Sequence, residues 1–194
     1  MKALRQLITN VGVLSQARRN RLDLVRALSR RPQLLIGTGV YELAIGLSAS
    51  VEPRLKVLAE LKVAAVVACE YCLDIGSLLG RGAGLTERQL RELHLYKSSD
   101  AFDADERLVL ELAESMTLAP VVVSEPLRGR LDATFSRSQL TELAAVIAWE
   151  NQRARLNEAL GIRPSGFSDG AYCVRPDVST DDSDDSGVAD THIT

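Results

Sequence analysis

The segment VVACEYCLDIGSLLGRGAGLT, Val66 to Thr86, carries two cysteines three positions apart behind an apolar run. The run starts upstream. Leu55, Leu58 and Leu61 follow Pro53 at helical spacing, and Val63 to Ala68 is nearly all apolar. That pattern reads as a helix buried on most sides. Beyond Cys72, Ile75, Leu78 and Leu79 continue the period until GRGAG, Gly80 to Gly84, stops it. Three residues subtend about 300° on a helix, so the thiols of Cys69 and Cys72 face nearly the same side, one turn apart. A disulfide between them requires the backbone to open slightly at a helix start. A cysteine at such a start has its thiolate favoured by the helix dipole.

The rest of the chain repeats the helical theme. Leu4, Leu7, Ile8, Val11 and Leu14, then Leu22, Val25 and Leu28, form apolar stripes opposite Arg18, Arg19, Arg21 and Arg26. Pro32 opens a helix to about Leu47, with Gly37, Gly39 and Gly46 inside it marking close packing or a bend. GTG at Gly37–Gly39 follows no strand and is not a dinucleotide loop. Thr86 with Gln89, and Asp103 with Glu106, have the spacing of capping boxes. They open helices to about Tyr96 and through Leu118. Ser124 with Pro126 begins a short helix. Ser136 to Leu160 forms a long final one, stopped by Gly161 and Pro164. No convincing strand is present. The expected architecture is an all-α, single-domain helical bundle. It has a basic amphipathic helical arm over residues 1–31, the domain over 32–164 and an acidic disordered tail over 165–194.

Composition agrees. The 194 residues are 46% hydrophobic but only 4% aromatic, so Leu, Ala, Val and Ile must build the core, which favours close-packed helices. The net charge of −3 conceals a basic front and an acidic end. The basic arm has no aromatic interleaving and no recognised nucleic-acid module, so it reads as a packing arm with a solvated face. No signal peptide and no membrane span is visible, and a reducing cytoplasmic setting is expected. There, a CxxC pair points to redox catalysis or metal binding before a structural disulfide. Zinc needs about four ligands. The chain has three cysteines and two histidines, with Cys173 and His192 in the tail and His94 alone, so no metal and no cofactor is expected. Two buried apolar thiols remain the plain alternative. Against it stand the polar neighbours Glu70, Tyr71 and Asp74.

Pro53 to Leu93, PRLKVLAELKVAAVVACEYCLDIGSLLGRGAGLTERQLREL, resembles the core signature of the carboxymuconolactone decarboxylase-like superfamily, in its alkylhydroperoxidase-D-like branch. FDADERLVLELAESMT, Phe102 to Thr117, resembles the next helix of that family. Leu140 to Ile162 resembles its closing helix, with Asn151, Arg155 and Asn157 as a polar cluster. The likeness spans roughly residues 32–164. It implies an all-helical homo-oligomer, a trimer or hexamer. In peroxidase members the second cysteine attacks a hydroperoxide and the first resolves the sulfenic acid. The resemblance therefore implies Cys72 as the peroxidatic residue and Cys69 as the resolving one. It also implies a small hydroperoxide or disulfide substrate and a dithiol electron donor. Such trapping protects the sulfenic acid from overoxidation.

Three positions depart from the family pattern. Gly76 stands where CxxCxxxH places a histidine, Val57 where a glutamate precedes the pair, and Tyr71 where a histidine can lie between the cysteines. A histidine at position 76 would share the face of Cys72 as a proton shuttle. Glu60, one turn past Val57, with Glu70 and Tyr71, are the candidates for relay or support. Lys62 and Arg81 are candidate cations for the thiolate. Asp74, about 200° from Cys72 around a helix, points away. The functional expectation is a thiol-dependent peroxidase or dithiol–disulfide oxidoreductase. The alternative is a non-enzymatic helical oligomer with a redox-sensing or structural CxxC. Lactone decarboxylation finds no counterpart to its histidine chemistry.

Overall fold

Helix starts fall where prolines and short polar side chains predict them. The computed structural model describes residues 22–164 and 166–177. Among these the chain forms α1 (Leu22–Ser29), α2 (Pro32–Leu47), α3 (Pro53–Val67), α4 (Glu70–Gly82) and α5 (Glu87–Arg91). A 3₁₀ turn (Leu93–Leu95) follows, then α6 (Ala104–Thr117), α7 (Glu125–Thr134) and α8 (Arg137–Leu160), with no strand among the described residues. Thr86, Asp103 and Ser136 each complete a capping box, with Gln89, Glu106 and Gln139 as partners. Each such cap stabilises its helix by about 1 kcal/mol. Gly161 ends α8 in the left-handed conformation, φ 64°, where a side chain would be strained.

The central element is α3, which packs against α4, α6 and α8. Its Leu58, Leu61, Ala64 and Ala65 join Leu73, Leu90, Leu93 and Leu110 in one cluster. Ala59 and Val63 join Val109, Leu112, Leu127, Leu143 and Ile147 in another. Alanines on α3 let its neighbours approach closely, and each fully buried leucine contributes about 1.5–3 kcal/mol. Because α8 is 24 residues long, about 36 Å, its middle crosses α3 while its last turns reach the start of α4. That crossing brings the closing helix to the cysteines.

Three features depart from the sequence reading. First, α3 and α4 are separate helices. Ala68 adopts φ 61°, ψ 31°, and the Cys69 N–H closes α3 on the Ala64 carbonyl at 3.0 Å. A left-handed alanine costs about 1–2 kcal/mol, so packing on both sides holds it there. Second, residues 166–177 lie along α4 and α3, although composition assigns them to a disordered tail. The Asp74 carboxylate accepts hydrogen bonds from the Phe167 and Ser168 amides at 2.9 and 2.7 Å. The Ser77 hydroxyl accepts from Val174 N at 2.9 Å, and Lys62 Nζ pairs with Asp177 at 2.6 Å. Phe167 and Val174 are buried. Two apolar anchors and polar partners from the bundle offset the ordering cost of this strap. The remaining tail, 178–194, and most of the basic arm lie outside the described residues.

Third, α2 is strongly apolar yet buries none of its residues. Leu34, Ile36, Val40, Leu43 and Leu47 are exposed. A Cβ at Gly37 or Gly39 would meet nothing within 4 Å, so these glycines do not mark close packing within the chain. No helix among the described residues is long and apolar enough to cross a membrane.

Candidate functional site

The break at Ala68 decides the geometry of the thiols. Cys69 becomes the N-cap of α4, and its sulfur accepts the Cys72 backbone N–H at 3.3 Å. Cys72 sits in the first turn, one turn on. All three cysteines are free thiols. Cys69 is fully buried, while Cys72 keeps 6% exposure. Asn157, near the end of α8, donates its Nδ2–H to Cys72 Sγ at 3.4 Å. Its buried Oδ1 has no hydrogen-bond partner.

The two sulfurs are electrostatically unlike. The Cys72 thiol and backbone amide both point at Cys69 and hold its pKa below the ordinary thiol value, against the effect of burial. Cys72 is pushed far above it. Its proton is engaged by Cys69, its surroundings are dry and the Glu150 carboxyl lies beside it, while Asn157 acts in the opposite sense. Acidity and accessibility thus single out different atoms: Cys69 is the more acidic thiol, and Cys72 the more accessible one.

Glu150 and Arg153, also on α8, complete the site. Glu150 lies near enough to Cys72 for each to shift the other's pKa. Burial, reinforced by nearby Glu60, pushes Glu150 up to about 7, against the pull of Arg153. Arg153 binds Glu150 through Nε at 2.7 Å, Glu60 at 2.7 Å and Glu42 of α2 at 3.1 Å. One guanidinium therefore links α2, α3 and α8 behind the thiols. Trp149, next in sequence, stacks on Tyr41 of α2 with ring centroids 4.3 Å apart.

The sequence candidates divide. Glu60 reaches the site through Arg153 rather than through a sulfur. Glu70 is exposed in the first turn of α4. Tyr71 is half-buried, edge-on to Phe167, and its hydroxyl pKa is raised by burial and by nearby Cys72. Asp74 faces the strap, as its angle on the helix predicts. Lys62 pairs with Glu114 and Asp177, and Arg81 with Glu87, so neither cation serves the thiols. Asn151 and Arg155 turn to Thr117 instead. Of the polar cluster on the closing helix, only Asn157 reaches Cys72.

A Cβ at Gly76 would lie 2.8 Å from Leu61 Cδ2. The space a histidine would need is filled by the core. Val57 is buried in the same cluster. The sequence reading missed Glu150 and Arg153, although Glu150, Arg153 and Asn157 recur at i, i+3, i+7. Polar residues on one stripe of a long helix signal a shared buried site. Among the described residues, no group of three or more His, Cys, Asp or Glu could hold a metal ion.

The fold and site define an all-helical protein with a buried dithiol at a helix start, backed by a carboxylate–guanidinium network. Residues 38–115 match the carboxymuconolactone decarboxylase family. The protein YnjA of Escherichia coli K12, itself uncharacterised, is 35% identical over 117 residues, 60% of this chain and 64% of that protein. The chain thus spans under two thirds of that relative's length. Among solved structures, the debrominase Bmp8 in complex with 2,3,4-tribromopyrrole superposes with TM-score 0.71 at 18% identity, covering 86% of this chain and 85% of that one. An uncharacterised peroxidase-related protein of Silicibacter sp. TM1040 superposes with TM-score 0.66 at 21% identity, covering 76% and 78%. Residues 38–115 thus carry the likeness to that family, and the helical bundle shares the fold of these solved structures.

Proposed function

We propose that this chain is a thiol-dependent peroxidase, or dithiol–disulfide oxidoreductase, acting through Cys72 and Cys69. The observation that supports the reading is the Cys69 sulfur capping the N-terminus of α4 by accepting the Cys72 backbone N–H at 3.3 Å, with the Cys72 thiol one turn on and the more accessible. The Cys72 thiolate attacks the outer oxygen of a hydroperoxide. An S–O bond forms, the O–O bond breaks, and the alkoxide leaves and takes up a proton. Cys69 then attacks the sulfenic sulfur, forming the disulfide and releasing water. An external dithiol returns two electrons to regenerate the pair. Asn157 Nδ2 steadies charge on Cys72, and Tyr71 and Glu60 support the site from either side.

Peroxide consumption with a small dithiol as donor tests this reading. Cys72→Ser should abolish it, and undiminished consumption by that variant would refute the assignment. The exposed apolar face of α2 supports assembly into a homo-oligomer. A second reading draws on the filled space at Gly76: the pair senses redox state without turnover. It predicts no peroxide consumption but different sedimentation of the reduced and oxidised proteins.

A further inference from the structure

We propose that Asn157 is a catalytic residue whose Oδ1 receives the hydroxyl hydrogen of the attacked peroxide, and then of the Cys72 sulfenic acid. This rests on the dithiol reading above and narrows the substrate class of that site. The oxidants it favours carry a hydrogen on the transferred oxygen: hydrogen peroxide and alkyl hydroperoxides. Asn157 is 2% exposed, and its Nδ2 donates to Cys72 Sγ at 3.4 Å. Its Oδ1, on the same planar amide, is buried without a hydrogen-bond partner. Three other buried side-chain polar atoms share that condition among the described residues, on Arg107, Trp149 and Asp177. Arg107 bonds Ser99, Asp177 bonds Lys62, and Trp149 stacks on Tyr41. Asn157 alone among these four sets its unpaired atom beside a sulfur. The end of α8 fixes this residue in place. Its backbone carbonyl accepts the Ile162 N–H at 3.0 Å, where Gly161 closes the helix in the left-handed conformation.

A buried acceptor left unpaired raises the energy of the state that contains it. In the reduced protein Oδ1 is that acceptor, and attack on a hydroperoxide supplies its donor. The Cys72 thiolate, its proton released to solvent, forms an S–O bond with the terminal oxygen of R–O–O–H. The O–O bond breaks, and the hydrogen on the transferred oxygen stays with it. R–O⁻ leaves and takes a proton from water. The product is Cys72–S–O–H, whose oxygen is one bond from the sulfur that Nδ2 already holds. Oδ1 is joined to Nδ2 through a single carbon, so it stands within reach of that hydroxyl. The hydrogen bond is made as the S–O bond forms and is missing beforehand, which is the condition for accelerating a step. An amide already in place makes it without rearrangement. When Cys69 attacks the sulfenic sulfur, the hydroxyl departs as water with the Cys69 thiol proton, and Oδ1 is unpaired again.

The test compares two reagents on one sulfur. In the full chain carrying Cys69→Ser and Cys173→Ser, Cys72 is the only thiol, and serine can still cap α4. Its rate with hydrogen peroxide is measured by trapping the sulfenic acid with dimedone. Its rate with methyl methanethiosulfonate, which carries no hydrogen-bond donor, is the reference. Both reactions need the same thiolate, so their ratio cancels any change in its population. Asn157→Leu lacks both amide ends and should lower the peroxide-to-thiosulfonate ratio about tenfold. Asn157→Asp keeps an acceptor and loses the donor. It should slow both reactions and leave the ratio within about threefold of the parent's. A ratio moved less than threefold in Asn157→Leu overturns the proposal, because the residue then only packs or steadies the thiolate. A tenfold fall in Asn157→Asp overturns it equally, and decides the matter should Asn157→Leu fail to fold. A parent chain that reacts with the thiosulfonate but never forms a sulfenic acid refutes the peroxidase reading and the Asn157 role together. A parent that forms it, with the ratio unmoved in Asn157→Leu, refutes the Asn157 role alone.

Discussion

Restoring the histidine at position 76 should harm this protein. Glycine there lets α4 lie against α3, with the Leu61 side chain 2.8 Å from where a Cβ would stand. Leu61 is 1% exposed, so its displaced methyl has little space to enter. Gly76→Ala adds only the Cβ. The helix propensity gained, about 0.5–1 kcal/mol, nearly offsets the shift of one leucine methyl, and stability should change by less than about 1 kcal/mol. Gly76→His adds a polar ring to a packed core. Overpacking costs about 1–3 kcal/mol, and an imidazole without a partner adds more, giving a net loss of about 2–3 kcal/mol. For a domain of this size that is a fall in Tm of about 4–12 °C. Leu61→Ala alone should cost about 2–5 kcal/mol through the cavity it leaves. Combined with Gly76→His, it should cost less than the sum, because the ring occupies the vacated space. Urea denaturation of the four proteins measures the coupling. A Gly76→His variant as stable as the parent, or strictly additive losses, would refute the claim that Leu61 fills the histidine's place.

Two further outcomes follow from buried ionic anchors. Asp74→Ala removes two charge-assisted bonds to the strap, worth about 3 kcal/mol together after relaxation, so amide exchange at Phe167 and Ser168 should quicken about 100-fold; unchanged protection would sink the anchor assignment. Burial alone would raise the Glu114 carboxyl, but Lys97, Lys62 and the Tyr96 hydroxyl outweigh it and hold the pKa at about 2. Because the folded value lies below the unfolded one, this stability is complete above about pH 5.5 and is lost as pH falls toward 2. The urea midpoint should therefore drop between pH 5.5 and 3, and Glu114→Gln should flatten that drop; equal slopes in the two proteins would contradict it.

Much of the fold is written locally. The capping boxes at Thr86, Asp103 and Ser136 and the prolines at 32 and 53 set helix starts through residues three apart, so they are visible without tertiary information. The pairing of Cys69 with Cys72 is likewise a matter of helical geometry. The Ala68 break is not, because alanine favours helix and only packing drives it left-handed. Glu150 and Arg153 were hidden for another reason. Their meeting with Cys72 depends on how α8 crosses the bundle, about 80 residues away in sequence, which no local pattern encodes. The strap escaped notice because its backbone is satisfied by Asp74 and Ser77, side chains whose partners cannot be named from spacing. Glu60, one turn past Val57, meets the closing helix through the guanidinium of Arg153, a partner that spacing along α3 does not name.

The central claim is that Cys69 and Cys72 form a working redox pair. Mass analysis after one equivalent of a small hydroperoxide tests it most directly. The account predicts a loss of two mass units, with the bond mapped within the Cys69–Cys72 peptide, and predicts that the Cys69→Ser chain stops at a sulfenic acid on Cys72. Reduced thiols unchanged by peroxide, or oxidation falling on Cys173 instead, would contradict it.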